Sequence, residues 1–281
     1  IETVDLTHTL DPDFPVIAGC DLSGNVAEAA GGFAVGDDVY GMVRFPHFAG
    51  TCAEYATAPA AHLGKKPENI DHLHAAGVPL AALTAWQAIE QGGLKSGQTA
   101  LIHAAAGGVG LILSQWARHL GARVIGVAGT KAKAALAADH GCHHTIISGA
   151  EDIAARVREL TDGEGVPVVY DAVGRDTFDA SLHSLRPRGM LVSYGTASGP
   201  VPPLDIFELN RLGSLYVTSA AFYWHMRTRE EVMERAADLF EVVLTGAVKI
   251  LVNQRYKLVD VAQAHRDMES RASSGMSVLI P

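Results

Sequence analysis

Cysteine is scarce in these 281 residues: Cys20, Cys52 and Cys142 are all there are. Three thiols make no disulfide framework, so a reducing cytoplasm is the expected compartment. Positive charge is also in deficit. Lys and Arg number 22 against 31 Asp and Glu, a net charge of −9, whereas a nucleic-acid footprint is normally a basic patch. No apolar run reaches the length of a membrane span, and no signal-peptide pattern is present. The initiator Met is missing too: Ile1 opens in mid-pattern, and we expect further N-terminal sequence before it. There is no internal repeat and no low-complexity segment. What remains is an ordinary globular composition, 48% hydrophobic and 19% charged, long enough for one large or two ordinary domains.

The stretch that organises the chain is Thr99 to Thr130. It predicts an apolar strand over Ala100–His103, a small-residue turn, a helix over Val109–Leu120 closed by Gly121, and a second strand over Arg123–Val127. The turn is a variant of the dinucleotide fingerprint, with Ala105, Gly107 and Gly110 at its three small positions. On this reading Ala105 permits the tight turn, Gly107 lets backbone N–H groups approach a pyrophosphate, and Gly110 lets helix and strand pack closely. Unpaired N–H groups at the helix start then hold phosphate. At the end of the second strand a free ribose 2′-OH usually meets Asp or Glu, whereas a 2′-phosphate needs positive charge. Here the chain carries Thr130, Lys131 and Lys133, with no acid before Asp139. That favours NADPH over NADH, although either lysine taken alone reads better as part of a solvated helix face.

From Ile1 to about Leu80 short apolar runs alternate with Gly-Asp and Gly-Gly punctuation, which predicts a small β-barrel or curled sheet, with another strand over Glu54–Pro59. Glu68–Gln91 turns helical, Pro79 being allowed near a helix start. Beyond the central unit, strands over Thr145–Ile147, Val168–Asp171, Met190–Tyr194 and Ser214–Ser219 alternate with helices over Lys131–His140, Glu151–Thr161 and Asp176–Ser184. Six strands of this kind fit a doubly wound parallel sheet of order 3-2-1-4-5-6. Ser214–Ser219 lies at its edge without blunting charges and is expected to pair with another subunit. Thr228 with Glu231 forms a capping box opening a helix to Leu244. Asp260 with Gln263 suggests another before a helix to Glu269, and Ser277–Ile280 closes as a strand.

Taken together, "LTAWQAI" from Leu83, "HAAAGGVG" from His103, "VVYDAVGRDTFDASLHSLRPRGMLVSYGTASGPV" from Val168, "GSLYVTS" from Gly213 and "AHRDMESRASSG" from Ala264 resemble the zinc-independent quinone oxidoreductases, the zeta-crystallin-like group of the medium-chain dehydrogenase/reductase superfamily. The resemblance implies an α/β fold in which a Rossmann domain is inserted in a GroES-like β-barrel domain whose first strands precede Ile1. The expected domains are residues 1–80, 81–221 and 222–281, the last returning to the barrel domain. It implies a homodimer through Ser214–Ser219, and hydride transfer from NADPH to a quinone. By the same resemblance Gly107, Gly108 and Val109 meet the pyrophosphate. Lys133, beside Thr130, meets the 2′-phosphate, and Ser148 lies near the adenine end. Val173, Tyr194, Gly195 and Thr196 approach the nicotinamide. Thr84 lies near the nicotinamide as well, or simply bonds its own helix backbone.

The chain departs from the family pattern at Ser148, where relatives usually carry tyrosine. The tyrosines that relatives place over the nicotinamide fall near Val4 and Leu10, and an accompanying asparagine would precede Ile1. Zinc-dependent cousins use Gly-His-Glu where this chain has Gly19, Cys20 and Asp21, and they carry a four-cysteine run that it lacks. Cys20 is therefore expected to be a small residue near the substrate rather than a metal ligand, and no metal is expected. Cys142, His143 and His144 mimic ligand spacing at a strand entry, where neighbours point opposite ways. Reduction of a quinone gives a stabilised phenolate that needs no Lewis acid. An NADPH-dependent reductase of enone or alkenal double bonds fits the same residues. A non-catalytic NADPH-binding protein with a structural or RNA-binding role is the third alternative, disfavoured by the acidic charge. Neither nucleic acid nor membrane is expected as a partner.

Overall fold

The structure, a computed structural model, describes residues 16–43, 50–221, 224–225 and 228–281. Ile1, Val4 and Leu10 lie outside them. The chain divides into two compact units, one formed by the N-terminal segment to Leu83 together with Ile250–Pro281, the other by Thr84–Lys249.

The first unit holds β1 (Asp21–Asn25), β2 (Asp38–Met42) and β3 (Leu63–Lys65), an antiparallel sheet in that order. Val39 is its buried strand side chain, at 5% exposure. The expected strand over Glu54–Pro59 does not form. Residues 54–57 are all exposed, Tyr55 at 80%, so that segment has neither a ladder partner nor a face to bury. A short helix α1 (His72–Ala76) follows, capped by Asp71, whose carboxylate accepts from the His74 N–H at 2.8 Å. Next comes α2 (Pro79–Gly92), which opens on Pro79, where a missing N–H costs nothing, and which carries the division between the units.

The second unit is built on six parallel strands: β4 (Thr99–Ile102), β5 (Arg123–Ala128), β6 (His144–Ile147), β7 (Val166–Asp171), β8 (Leu185–Ser193) and β9 (Tyr216–Ser219). Their order across the sheet is β6-β5-β4-β7-β8-β9, the expected doubly wound arrangement. The crossovers carry α3 (Gly108–His119), α4 (Lys131–Asp139), α5 (Ile153–Leu160), α6 (Phe178–Ser184) and α7 (Ile206–Arg211). One core face packs Leu101, Ile125, Val127, Val169 and Leu191 of the strands against Val157, Phe178 and Leu182 of α5 and α6. Strands buried on both faces read as continuous apolar runs, which is why the sequence made them legible.

α8 (Arg229–Leu244) opens on the expected box: Thr228 accepts from the Glu231 N–H, and the Glu231 carboxylate accepts from the Thr228 N–H. Back in the first unit, β10 (Val252–Lys257) and β11 (Met276–Ile280) pair in parallel, with α9 (Val261–Glu269) between them. The Asp260 cap is a correction. Its side chain makes no cap bond, because Leu258–Asp260 already forms a 3-10 turn, and Gln263 is spent on Asp267 and Arg266.

Candidate active site

The carboxyl ends of β4 to β8, five of the six parallel strands, carry all ten residues that the sequence assigns to cofactor binding, Gly107 through Thr196. At the end of β4 the chain runs through His103, whose N–H bonds the Tyr170 carbonyl at 2.9 Å, into a turn closed by Gly107 N–H to Ala104 O at 2.9 Å. Ala104 is the left-handed residue of this turn, with φ +49°. That corrects the assignment of the tight turn to Ala105, which is fully buried and bonds the Val127 carbonyl through its N–H. The part Ala105 plays is close packing: a Cβ on Gly126 would stand 2.8 Å from the Ala105 methyl and 2.5 Å from Cys142 Sγ. Gly110 is equally constrained, since a Cβ there would stand 2.3 Å from the Ala104 carbonyl. Gly107 caps α3 without a side chain, so the first N–H groups of the helix, those of Gly108 to Gly110, have no carbonyl within it. This is an anion-binding geometry.

At the end of β5, Thr130 caps α4 by accepting from the Lys133 N–H at 3.2 Å. Thr130 and Lys131 are exposed and Lys133 is half-buried. No carboxylate stands between Ala128 and Asp139 at the far end of α4. At the end of β6 the Ser148 N–H donates to the Ala128 carbonyl at 3.0 Å, so Ser148 is tied to the end of β5, just before the loop that carries Thr130.

The loops after β7 and β8 are fastened together. Tyr194 N–H bonds Asp171 O, Ala197 N–H bonds Ala172 O and Arg175 N–H bonds Gly199 O. The Val173 carbonyl accepts from both the N–H and the hydroxyl of Ser198, at 2.8 and 2.7 Å. Val173, Tyr194, Gly195 and Thr196 therefore belong to one double loop. Beneath it lies a constellation that sequence reasoning missed. Asp171, 1% exposed, accepts through Oδ1 from the Val173 and Gly174 N–H groups at 2.7 and 3.2 Å. Its Oδ2 accepts from Ser181 Oγ at 2.7 Å, and the Thr177 hydroxyl lies 2.9 and 2.8 Å from the two oxygens. Ser181 Oγ in turn lies 3.0 Å from His103 Nε2. The signal was present in the spacing: Thr177 and Ser181 are four apart, hence on one face of a helix that follows a strand ending in Asp.

Thr84 sits half-buried in α2 within the same unit, while Cys20 belongs to the first unit. Burial, reinforced by the charge of Asp21, pushes the Cys20 thiol up to about 12, so it stays protonated at neutral pH and is a poor thiolate ligand. Asp21 is itself pushed up to about 7 by burial, with one bond, from the Leu80 N–H at 3.2 Å, opposing the shift. Its Oδ1 is buried without a partner among the described residues. Among the described residues no group of three or more His, Cys, Asp and Glu could hold a metal ion. In the Cys142-His143-His144 cluster, Cys142 Sγ faces Ser114, His143 Nδ1 accepts from the Val124 N–H and His144 meets Arg123. The three diverge as a strand entry requires.

Residues 108–241 match the family described as zinc-binding dehydrogenase. A quinone oxidoreductase of Pseudomonas aeruginosa is 41% identical over 275 residues, spanning 96% of this chain and 83% of that protein. The chain belongs to the zeta-crystallin-like quinone oxidoreductases. The family's wider chemistry shows in a 2-haloacrylate reductase of a Burkholderia species, also 41% identical, over 95% of this chain and 81% of that one. The structure of the Escherichia coli quinone oxidoreductase complexed with NADPH superposes with a TM-score of 0.92 at 37% identity, covering 98% of this chain and 85% of the other. In the family's terms, the six-stranded sheet is the Rossmann domain and the antiparallel sheet belongs to the GroES-like domain.

Proposed function

We propose that this protein reduces quinones with NADPH, without a metal. The observation that carries the reading is the strand-end array of the Rossmann unit, with an anion-binding turn at β4, Thr130 and Lys133 in place of a carboxylate after β5, and the fastened loops after β7 and β8. Relatives named quinone oxidoreductase, one of them solved with NADPH, support it.

In this reading the N–H groups of Gly108 and Val109, with Gly107 allowing close approach, hold the pyrophosphate. Lys133 meets the 2′-phosphate, Thr130 fixes the start of α4 beneath it, and Ser148 borders the adenine. Val173, Tyr194, Gly195 and Thr196 orient the nicotinamide, with Thr84 beside it and Cys20 a neutral neighbour of the substrate. NADPH supplies a hydride, two electrons and one proton's mass; the quinone accepts it and takes a proton from solvent to become the hydroquinone. The intermediate negative charge is spread over the ring, so the protein has only to orient the partners and exclude water.

The test is loss of NADPH absorbance on adding a simple quinone, with NADH run alongside. Turnover favouring NADPH, narrowed by Lys133→Ala, is the expected result; absence of quinone turnover overturns the reading. The likeness to the 2-haloacrylate reductase supports a second reading, reduction of an activated C=C bond. Product analysis separates the two, because that reaction saturates a double bond.

We further propose a homodimer through the β9 edge. Tyr216 on that strand is 55% exposed, and Ile206 and Phe207 of α7 are 74% and 68% exposed in the same unit, apolar surface of the kind that marks an interface. Light scattering on the protein and on Val217→Lys tests it, the variant being expected to run as a monomer. Three free thiols fit a cytoplasmic setting, and no helix among the described residues is long and apolar enough to cross a membrane.

A further inference from the structure

Ser181 has a single proton and two neighbours that could take it. Its Oγ lies 2.7 Å from Asp171 Oδ2 and 3.0 Å from His103 Nε2, and both Ser181 and His103 are fully buried. If the proton goes to Asp171, the bond is charge-assisted and Ser181 accepts from an Nε2–H of the imidazole. If it goes to His103, the ring must carry its proton on Nδ1. That nitrogen is buried with no partner among the described residues, so a donor would be stranded while the carboxylate lost a bond. The first arrangement is selected. His103 is then neutral, protonated on Nε2, with Nδ1 a bare acceptor at the head of the phosphate turn. Burial keeps it from gaining a second proton, pushing its titration below the ordinary histidine range against the pull of Asp171.

We propose that Asp171 is a positioning residue for hydride transfer: it holds the Val173 loop directly and, through Ser181, locks His103 in its Nε2–H tautomer under the turn. A single carboxylate thereby links the loop that orients the nicotinamide to the turn that holds the phosphates. The backbone bond from His103 to Tyr170 and the pairing of β4 with β7 make the connection short. This proposal rests on the cofactor reading given above. It goes beyond that reading by assigning roles to Asp171, Ser181 and His103, none of which need touch the ligand.

The test is nitrogen NMR of the His103 ring in labelled, cofactor-free protein, the signal being identified by its loss in His103→Gln. The wild type is expected to show a protonated Nε2 and a bare Nδ1. In Asp171→Asn the Val173 and Gly174 N–H groups keep the amide oxygen on their side, so the new NH₂ faces Ser181. The Ser181 proton must then turn to His103, and the ring converts to its Nδ1–H form. In the same variant kcat is expected to fall on the order of 10- to 100-fold, the cost of a misplaced reactant. NADPH affinity, read by fluorescence, stays within about threefold, a loss felt in the transition state alone. Ser181→Ala keeps the loop bonds of Asp171 and releases only the ring; it should give mixed tautomers and a smaller loss of kcat, and it serves if Asp171→Asn does not fold. A wild-type ring in the Nδ1–H form overturns the proposal, as does a tautomer unchanged in both variants, or one that flips without a fall in kcat. Failure of the wild type to oxidise NADPH is a different result, which overturns the functional reading while the tautomer is still read without ligand.

Discussion

Each unit buries a carboxylate, and the two are treated in opposite ways. Asp171, in the Rossmann unit, faces four donors: the N–H groups of Val173 and Gly174 and the hydroxyls of Thr177 and Ser181. Asp21, in the first unit, has among the described residues one, the Leu80 N–H, and an Oδ1 with none. Burial alone therefore does not decide what a carboxylate does. The number of donors aimed at it does, because each replaces part of the lost hydration.

The largest effect expected from breaking this contrast is at Asp171. Asp171→Ala strands the Val173 and Gly174 N–H groups beneath the double loop and leaves the Thr177 and Ser181 hydroxyls only their second acceptors, Gly174 O and His103 Nε2, so a loss of about 3 kcal/mol in chemical unfolding is expected. Asp21 gives the next effect, with a definite sign. Its folded pKa, about 7, lies above the ordinary 3.8, so the folded state binds the proton more tightly than the unfolded chain. The resulting stability is full below about pH 4 and is lost as pH rises through 7, at roughly 1 kcal/mol per pH unit between pH 5 and 7. Asp21→Asn should flatten that slope in unfolding curves taken across the range; a slope unchanged in the variant means that other groups carry it. Thr177→Ala sharpens the comparison by removing one donor of the four. It should cost about 1 kcal/mol, well below the loss in Asp171→Ala.

The smallest effect is a pair of helix starts that looked alike in sequence. Thr228→Ala breaks a capping box whose two bonds are both present and should cost about 1 kcal/mol. Asp260→Ala removes a side chain that caps nothing and should change stability by less than about 0.5 kcal/mol. Equal losses at the two positions would erase the distinction.

The same contrast explains what could be read from the chain. The order of the six strands was legible because each is an apolar run set between helices with marked ends, such as Gly121 just after α3. The strand-end placement of the cofactor candidates followed from that order. What escaped depended on where polar groups found partners. Glu54–Pro59 has strand-like residues but nothing to pair with, and Asp260 has the right type at the right spacing but a 3-10 turn in the way. Which residue takes the left-handed conformation was not legible: it is Ala104, and small-residue spacing does not say which of two alanines turns the chain. Asp171, Ser181 and His103 come from two βα junctions whose adjacency exists only once β4 and β7 pair.

Ala104 has one more consequence. A glycine would occupy φ +49° without strain, whereas an alanine costs about 1 kcal/mol there. The methyl group also forbids most of the other shapes a glycine could wander through. A turn so restricted is pre-organised, and under the proposed function a nucleotide would not wait for the backbone to find its shape. On the proposed function, an enzyme that exchanges a spent nucleotide for a fresh one in every cycle would have one rearrangement fewer to make at this turn.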